Sequence, residues 1–541
     1  MRFMYARAGL LLLWAGCLPA LDPRLETGFQ AIRAENLRAD LTYLSSPALA
    51  GRLSLTRGDD AAAGFVAAEF AKAGLKPLNG DSFLQRVPLI EYRVDRVHSL
   101  LTVERNGRRT EYRYGAGFGG GGPREAAVRA PVVFAGYGIT APEFGYDDYA
   151  GLDARGKAVL VFDHEPQETD PKSVFNGTGN TRYANTYVKV LIAQKHGAAA
   201  LMVAPEPNRK HPTAGERMLK IPNAAERLRL LRPQALADGD NRIPLVSVTE
   251  AAAAQMLAAT GRTPAELQSA IDATLRPASA PLDGVTADLR IGMEEWRRGE
   301  SANVIGMLEG SDPALRGETI VFSAHHDHDG EWDGRVHPGA DDNGSGTVGV
   351  IELARAYARN SERPKRTLVF AVFTAEERGL LGSYYYAAHP LRPLAGTRAV
   401  INFDMIGRNE SPSPQTDGLM EIRGDTANEL NLIGTINSPA YRAAVERVNE
   451  EVGLRLNYKW DDDTAQNIFQ RSDQFPFVLH DIPAVWWFTG FHPDYHQVTD
   501  TVEKINFAKM EKIVRLAYLA GFALGDAAEP PRFLANPRSG K

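Results

Sequence analysis

Residues 367–383, TLVFAVFTAEERGLLGS, decide how this chain is read. Thr367 to Thr374 is an apolar run rich in β-branched and aromatic residues, the pattern of a strand buried on both faces. Glu376 and Glu377 stand where it ends, before a helix opening near Gly379. Adjacent carboxylates repel each other, and neither is an obvious cap for that helix. The stretch is thus one strand–helix unit with two unexplained acids at its carboxyl end.

The same unit recurs on either side. GETIVFSAHHD (317–327) leads to a helix over SGTVGVIELARAYARN; RAVINFDM and PAVWWF follow as strands, and a helix near 502–524 closes the chain. Strands alternating with helices predict an α/β fold, a mainly parallel mixed sheet flanked by helices. Upstream, DAAAGFVAAEFAKA (60–73) reads as an amphipathic helix ended by Gly74 and Pro77. Between these parts, residues 128–283 are β-rich: APVVFAGYGI, GKAVLVFD, GAAALMVAP and IPLVSVT, with one helical stretch, YVKVLIAQKHG. GAGFGGGG (115–122) lacks the Lys-Ser/Thr and the helix of a phosphate loop, and reads as a hinge or boundary.

At 541 residues the chain exceeds one ordinary core. A formal charge of −6 with no basic tract argues against nucleic acid as a partner. Arg2 and Arg7 precede the apolar run from Ala8 to Gly16, which has the size of a secretory signal. Cleavage after Ala20 is one reading. The other is a lipid anchor on Cys17, with Trp14 interrupting the usual pattern. Either predicts export, to the periplasm or the extracellular space, and no later stretch reads as transmembrane. Cys17 is the only cysteine, so a mature chain has no internal disulfide and no thiolate ligand. The predicted layout is a signal at 1–20, a first catalytic segment at 21–127, the β-rich module at 128–283, the main catalytic segment at 284–528 and a tail at 529–541.

Ligands of open α/β sheets bind outside the carboxyl ends of the strands. Those ends carry His325, His326, Asp327, His328 and Asp329; then Asp341, Asp342 and Asn343; then Glu376 and Glu377; then Asp404; and, in TGFHPDYHQVTDT, Asp494, Tyr495, His496 and Asp500. One such residue alone is ordinarily a cap or a satisfied core group. So many acids at one edge repel unless cations sit among them, and a pair of divalent metals meets that need. Three ligating carboxylates and a hydroxide balance two zinc ions, with two neutral imidazoles completing the shells. Residues i and i+2 share a strand face, which puts Asp327 beside His325 to fix its tautomer and turns His326 toward the core.

AHHDH, GADDNGSG, TAEERGLLGS, NFDMIGR and DYHQVTDT, in this order, resemble the co-catalytic zinc exopeptidases: secreted bacterial aminopeptidases, glutamate carboxypeptidase and the transferrin receptor. The likeness covers 286–525 and, more loosely, 30–90 through SSPALAGRLSLTRG. Residues 128–283 resemble the protease-associated domain inserted in such enzymes. The resemblance implies the zinc aminopeptidase-like, phosphorylase/hydrolase-type fold and two Zn2+ ions. It implies that His325 and Asp404 hold one ion, Glu377 and His496 the other, and that Asp342 bridges them, followed by a cis peptide. It implies that Glu376 is the general base, that Tyr495 hydrogen-bonds the oxyanion, and that Asp500 steadies His496.

The expected activity is removal of amino-terminal residues from peptides or proteins. A carboxypeptidase on the same site is the alternative, with Arg378 and Arg408 as candidates to grip a terminal carboxylate. A glutaminyl cyclase and an inactive binding protein are further alternatives, and relatives of both kinds lose ligands that this chain keeps.

Overall fold

The computed structural model describes residues 21–463 and 465–537. The expected signal, with Ala20 and Cys17, lies outside the described residues. The principal strands are β1 (Leu84–Arg105), β2 (Ala280–Leu308), β3 (Thr319–His325), β4 (Thr367–Phe373), β5 (Thr397–Phe403), β6 (Glu429–Ile433), β7 (Arg455–Asn457) and β8 (Ala484–Phe488). Their order across the sheet is β7-β6-β8-β5-β3-β4-β2. β3 runs parallel to both β4 and β5, and β5 parallel to β8. β2 and β6 run antiparallel to their neighbours β4 and β8, giving a mixed, mainly parallel sheet flanked by helices.

The apolar runs become central strands because both faces are covered. Leu368, Phe370 and Val372 point into a core shared with helices α1 (Arg57–Lys72), α2 (Gly346–Arg359) and α4 (Phe507–Asp526), the last beginning later than the sequence suggests. Val369, Ala371 and Phe373 point the other way, into a core with Tyr386 of α3 (Leu381–Ala388) and with Phe477 and Trp486. Period-two alternation divides one apolar run between two cores.

β1 and β2 are 22 and 29 residues long, several times an ordinary strand. They pair antiparallel along nearly their whole length. Register shifts between Arg290 and Gly292 and between Met293 and Glu295 bend the ribbon, whose middle is exposed around Trp296. Beyond it, β2 pairs with Ala126–Phe134, and the sheet continues through Ala158–Phe162, Ala200–Ala204 and Leu245–Val248. A separate core collects Val94, Leu101, Phe134, Leu160, Met202 and Ile291, so packing of this module begins within β1, upstream of residue 128.

The glycine tract differs from its reading as a hinge. Phe118–Gly120 is an edge strand antiparallel to Leu245–Val248. A Cβ at Gly120 would lie 2.9 Å from the carbonyl oxygen of Leu245, so the bare backbone permits the approach. At the carboxyl end, Asn437 exchanges hydrogen bonds with Leu534, tying residues beyond α4 to the body.

Candidate metal centre

β3, β4, β5 and β8 deliver their carboxyl ends to one edge, and β3 lies where the chain, having laid β4 on one side, crosses to lay β5 on the other. That crossing opens a crevice at the strand ends. His325 closes β3 opposite Phe373, the last residue of β4. Glu376 and Glu377 follow in the turn into α3, and Asp404 follows Phe403 of β5. Asp342 sits in the turn before α2, with a cis peptide to Asn343.

His325 Nε2 lies 3.7 Å from Asp342 Oδ1, 3.7 Å from Glu376 Oε2 and 3.6 Å from Asp404 Oδ2. His496 Nε2 lies 3.6 Å from Asp342 Oδ2 and 3.6 Å from Glu377 Oε2. The two oxygens of Asp342 therefore face the two histidines. Zinc bonds of ~2.0–2.2 Å in a tetrahedron separate ligand atoms by about 3.4 Å, close to these spacings. His325 Nε2 is buried and has no hydrogen-bond partner, as expected of a donor aimed at a cation. These donors suit zinc.

The electrostatics agree. Burial, helped by the Glu377 and Asp404 carboxylates, raises the Asp342 pKa well above the usual range. Burial does the same to Glu376, against the pull of His325. Burial opposes protonation of His325, but Glu376 and Asp404 outweigh it and raise its pKa well above normal. Carboxylates this close share protons or a cation. Burial lowers the His496 pKa, favouring the neutral imidazole that metal binding requires.

The surrounding residues are placed as follows. Asp327 accepts from the amides of Glu376 at 3.0 Å and Glu377 at 3.3 Å. Its carbonyl is 3.2 Å from His325 Nδ1, nearer than its carboxylate at 3.6 Å. His326 is turned away, to the Ala302 carbonyl at 3.0 Å and Asp59 at 3.1 Å. Asp341 accepts from the Gly407 amide at 2.6 Å and meets His492 Nε2 at 3.1 Å, away from the cluster. Tyr495 receives a hydrogen bond from Arg471 at 3.3 Å, and burial raises its pKa well above 10, so its hydroxyl keeps its proton. Trp486 is buried and donates to the Asp404 carbonyl at 2.9 Å.

Asp500 is not beside His496 as expected. Its carboxylate accepts from the amides of Asp341 at 2.9 Å and Asp342 at 3.1 Å, holding the turn that presents Asp342. Asp329 takes the expected place, 2.7 Å from His496 Nδ1. Asp329, 167 residues away in sequence, meets His496 where Asp500, four residues away, does not; the Asp500 amide bonds the Gln497 carbonyl, turning the loop back on itself.

Three more residues belong to the site and were given no role from sequence. His328 Nδ1 lies 2.8 Å from Glu377 Oε1 and 3.9 Å from Asp342 Oδ2. Its position in AHHDHD was the only signal. A Cβ at Gly339 would lie 2.5 Å from the His328 ring, so that turn requires glycine, whose φ is +54°. Arg52, fully buried, donates to the carbonyls of Leu44, His326, Pro338 and Gly339 and clamps both metal-site loops. Arg227 comes from the β-rich module and reaches Asp329 and Glu377, which no local pattern announces.

Residues 303–520 match the model described as Peptidase family M28. The chain is 29% identical over 291 residues to the probable lipoprotein aminopeptidase LpqL of Mycobacterium tuberculosis, covering 50% of each. It is 34% identical over 207 residues to the probable leucine aminopeptidase 2 of Aspergillus fumigatus, covering 38% of this chain and 36% of that one. It thus spans half or less of the length of these curated relatives. The aminopeptidase from Aneurinibacillus sp. strain AM-1 aligns over 94% of this chain and 97% of its own, at 19% identity and a TM-score of 0.47. Every strand end that supplies the centre lies inside the segment that matches the Peptidase family M28 model.

Proposed function

We propose that the protein is a zinc-dependent aminopeptidase that hydrolyses the amino-terminal peptide bond of peptides. The observation that carries this is Asp342, whose two oxygens lie 3.7 Å and 3.6 Å from the imidazoles of His325 and His496. In this reading His325 and Asp404 would hold one zinc ion and Glu377 and His496 another, and Asp342 would serve both. When bound they supply Lewis acidity and acidify a water molecule.

The chain's own residues do the rest. Glu376 takes the proton from the attacking water and returns it to the departing amine. Its amide is held by Asp327, which fixes the carboxylate's approach. Tyr495 donates its hydroxyl to the developing oxyanion. His328, bonded to Glu377 Oε1, leaves Oε2 facing His496 Nε2 at 3.6 Å. The β-rich module stands as a protease-associated domain in this reading, and export rests on residues 1–20.

Carboxypeptidase action is the second reading. Arg378 and Arg408 no longer support it, because they are engaged with Asp329 at 3.4 Å and Asp494 at 2.8 Å. Arg471, which donates to Tyr495 and is in no ion pair among the described residues, is the group that favours it.

Peptides with free and with blocked amino termini, offered to the purified protein before and after chelation, test the proposal. The expected result is stepwise cleavage of free-ended peptides, lost on chelation and restored by zinc. Cleavage of blocked peptides from their carboxyl ends favours the second reading; glutaminyl cyclisation or no turnover overturns both.

A further inference from the structure

A second group of donors lies in the β-rich module, outside the matched segment. The neighbouring parallel strands Ala158–Phe162 and Ala200–Ala204 end at one edge. The first runs into His164 and Glu168, the second into Glu206 and His211. One ligand atom from each of the four side chains falls within 4.8 Å of all the others. His164 Nδ1 is 2.6 Å from Glu168 Oε1, and His211 Nε2 is 2.8 Å from Glu168 Oε2. Both nitrogens face Glu206 Oε1, at 4.0 Å and 3.9 Å. The two rings stack at 4.1 Å, which turns both nitrogens the same way.

Glu206 is the telling residue. It is only 2% exposed, and its Oε1 is buried without a hydrogen-bond partner while pointing at two imidazoles. A buried carboxylate oxygen left without a donor is costly, unless something positive completes it. Two carboxylates neutralise a dication, and two imidazoles complete a tetrahedral N2O2 set, which suits zinc.

The placement suggests what such an ion does. From His211 the chain enters the short helices Ala214–Leu219 and Ala224–Leu230. That segment leans on the M28 part through Arg217 to the Ala465 carbonyl and Lys220 to the Asp417 carbonyl. It ends by inserting Arg227 against Asp329 and Glu377. We propose that His164, Glu168, Glu206 and His211 bind a structural zinc ion that anchors the 205–232 segment over the metal centre. Zinc binding by these four side chains is independent of the function proposed above; the anchoring over the metal centre rests on it.

The test uses the full chain crystallised with zinc in the buffer, with anomalous scattering measured at the zinc edge. The expected result is a peak among these four side chains, whatever is found between His325 and His496. No peak there, in crystals that hold zinc at the other centre or nowhere, overturns the proposal. In solution, Glu206→Gln combined with His211→Gln should lose one zinc per chain and be cut faster by trypsin within 205–232. Asp342→Ala should keep that zinc while losing metal from the other centre. Unchanged zinc content in a folded Glu206→Gln/His211→Gln chain also overturns it, and if that variant does not fold, the wild-type crystals still decide.

Discussion

Arg227 holds both oxygens of Asp329, with Nε 2.7 Å from Oδ2 and Nη2 2.5 Å from Oδ1. The same Asp329 Oδ2 is 2.7 Å from Nδ1 of His496. A guanidinium from one module thus fixes the carboxylate that orients a proposed ligand in the other. Burial works against this carboxylate's charge, but Arg227 and His496 outweigh it and hold its pKa well below the usual range.

Replacing Arg227 by Met should therefore weaken the centre without removing a ligand, although it also takes away a hydrogen bond to Glu377. Loss of a carboxylate-orienting partner behind a metal-bound histidine costs about 10- to 100-fold in metal affinity or activity. Leaving Asp329 buried and half-paired should also cost about 3–5 kcal/mol of stability. Zinc titration and steady-state kinetics on Arg227→Met check the first figure, and urea unfolding checks the second.

Glu376 and Asp342 should separate cleanly. Glu376→Gln is expected to keep its zinc and lose about 10²- to 10⁴-fold in kcat, the range of a general base. Asp342→Ala is expected to lose both metal and turnover. Metal analysis by mass spectrometry alongside kinetics distinguishes them; a Glu376→Gln chain stripped of zinc would recast that residue as a ligand.

Arg52 predicts a stability effect at a residue that is not itself a proposed ligand. Its charged donors satisfy four carbonyls, one at the end of the helix Ala34–Leu44 and three in the loops at His326 and at Pro338 and Gly339, and such bonds contribute roughly 1.5–3 kcal/mol each when a charge is involved. Arg52→Met should lower the unfolding free energy by at least ~3 kcal/mol. Denaturant melts of the two chains measure it.

Asp148 predicts a pH effect in the β-rich module. Burial pushes its carboxyl up to about 7, against hydrogen bonds from the Ile139 amide and the Tyr146 hydroxyl. The folded state thus holds a proton that the unfolded chain releases near its usual value of 3.8. The resulting stabilisation is complete below that value and disappears as pH rises through about 7. Between pH ~5.5 and ~7, wild type should lose about 2 kcal/mol relative to Asp148→Asn. Paired urea melts across that interval read the difference, and parallel curves would refute it.

The strands were legible because burial on two faces leaves an unbroken apolar run, as in the six residues Leu368–Phe373. The acids at their ends were legible because a parallel sheet gathers carboxyl ends at one edge. His325, Asp342, Glu376, Glu377, Asp404 and His496 stood among those strand-end groups, and the resemblance to the zinc exopeptidases singled them out. Asp500 could not be placed, since closeness in sequence to His496 says nothing about which amides its side chain meets.

What the linear chain determined by itself is local: the period of apolar residues, and hence strand, helix and the side of the sheet where polar groups collect. Which partner each polar group finds was decided only by the tertiary structure. Arg227 and Asp329 are 102 residues apart, and Asp329 and His496 are 167 apart. No periodicity extends over such separations. Their meeting depends on how the β1–β2 ribbon bends and where the module beyond it comes to rest, and these follow from packing of the whole molecule.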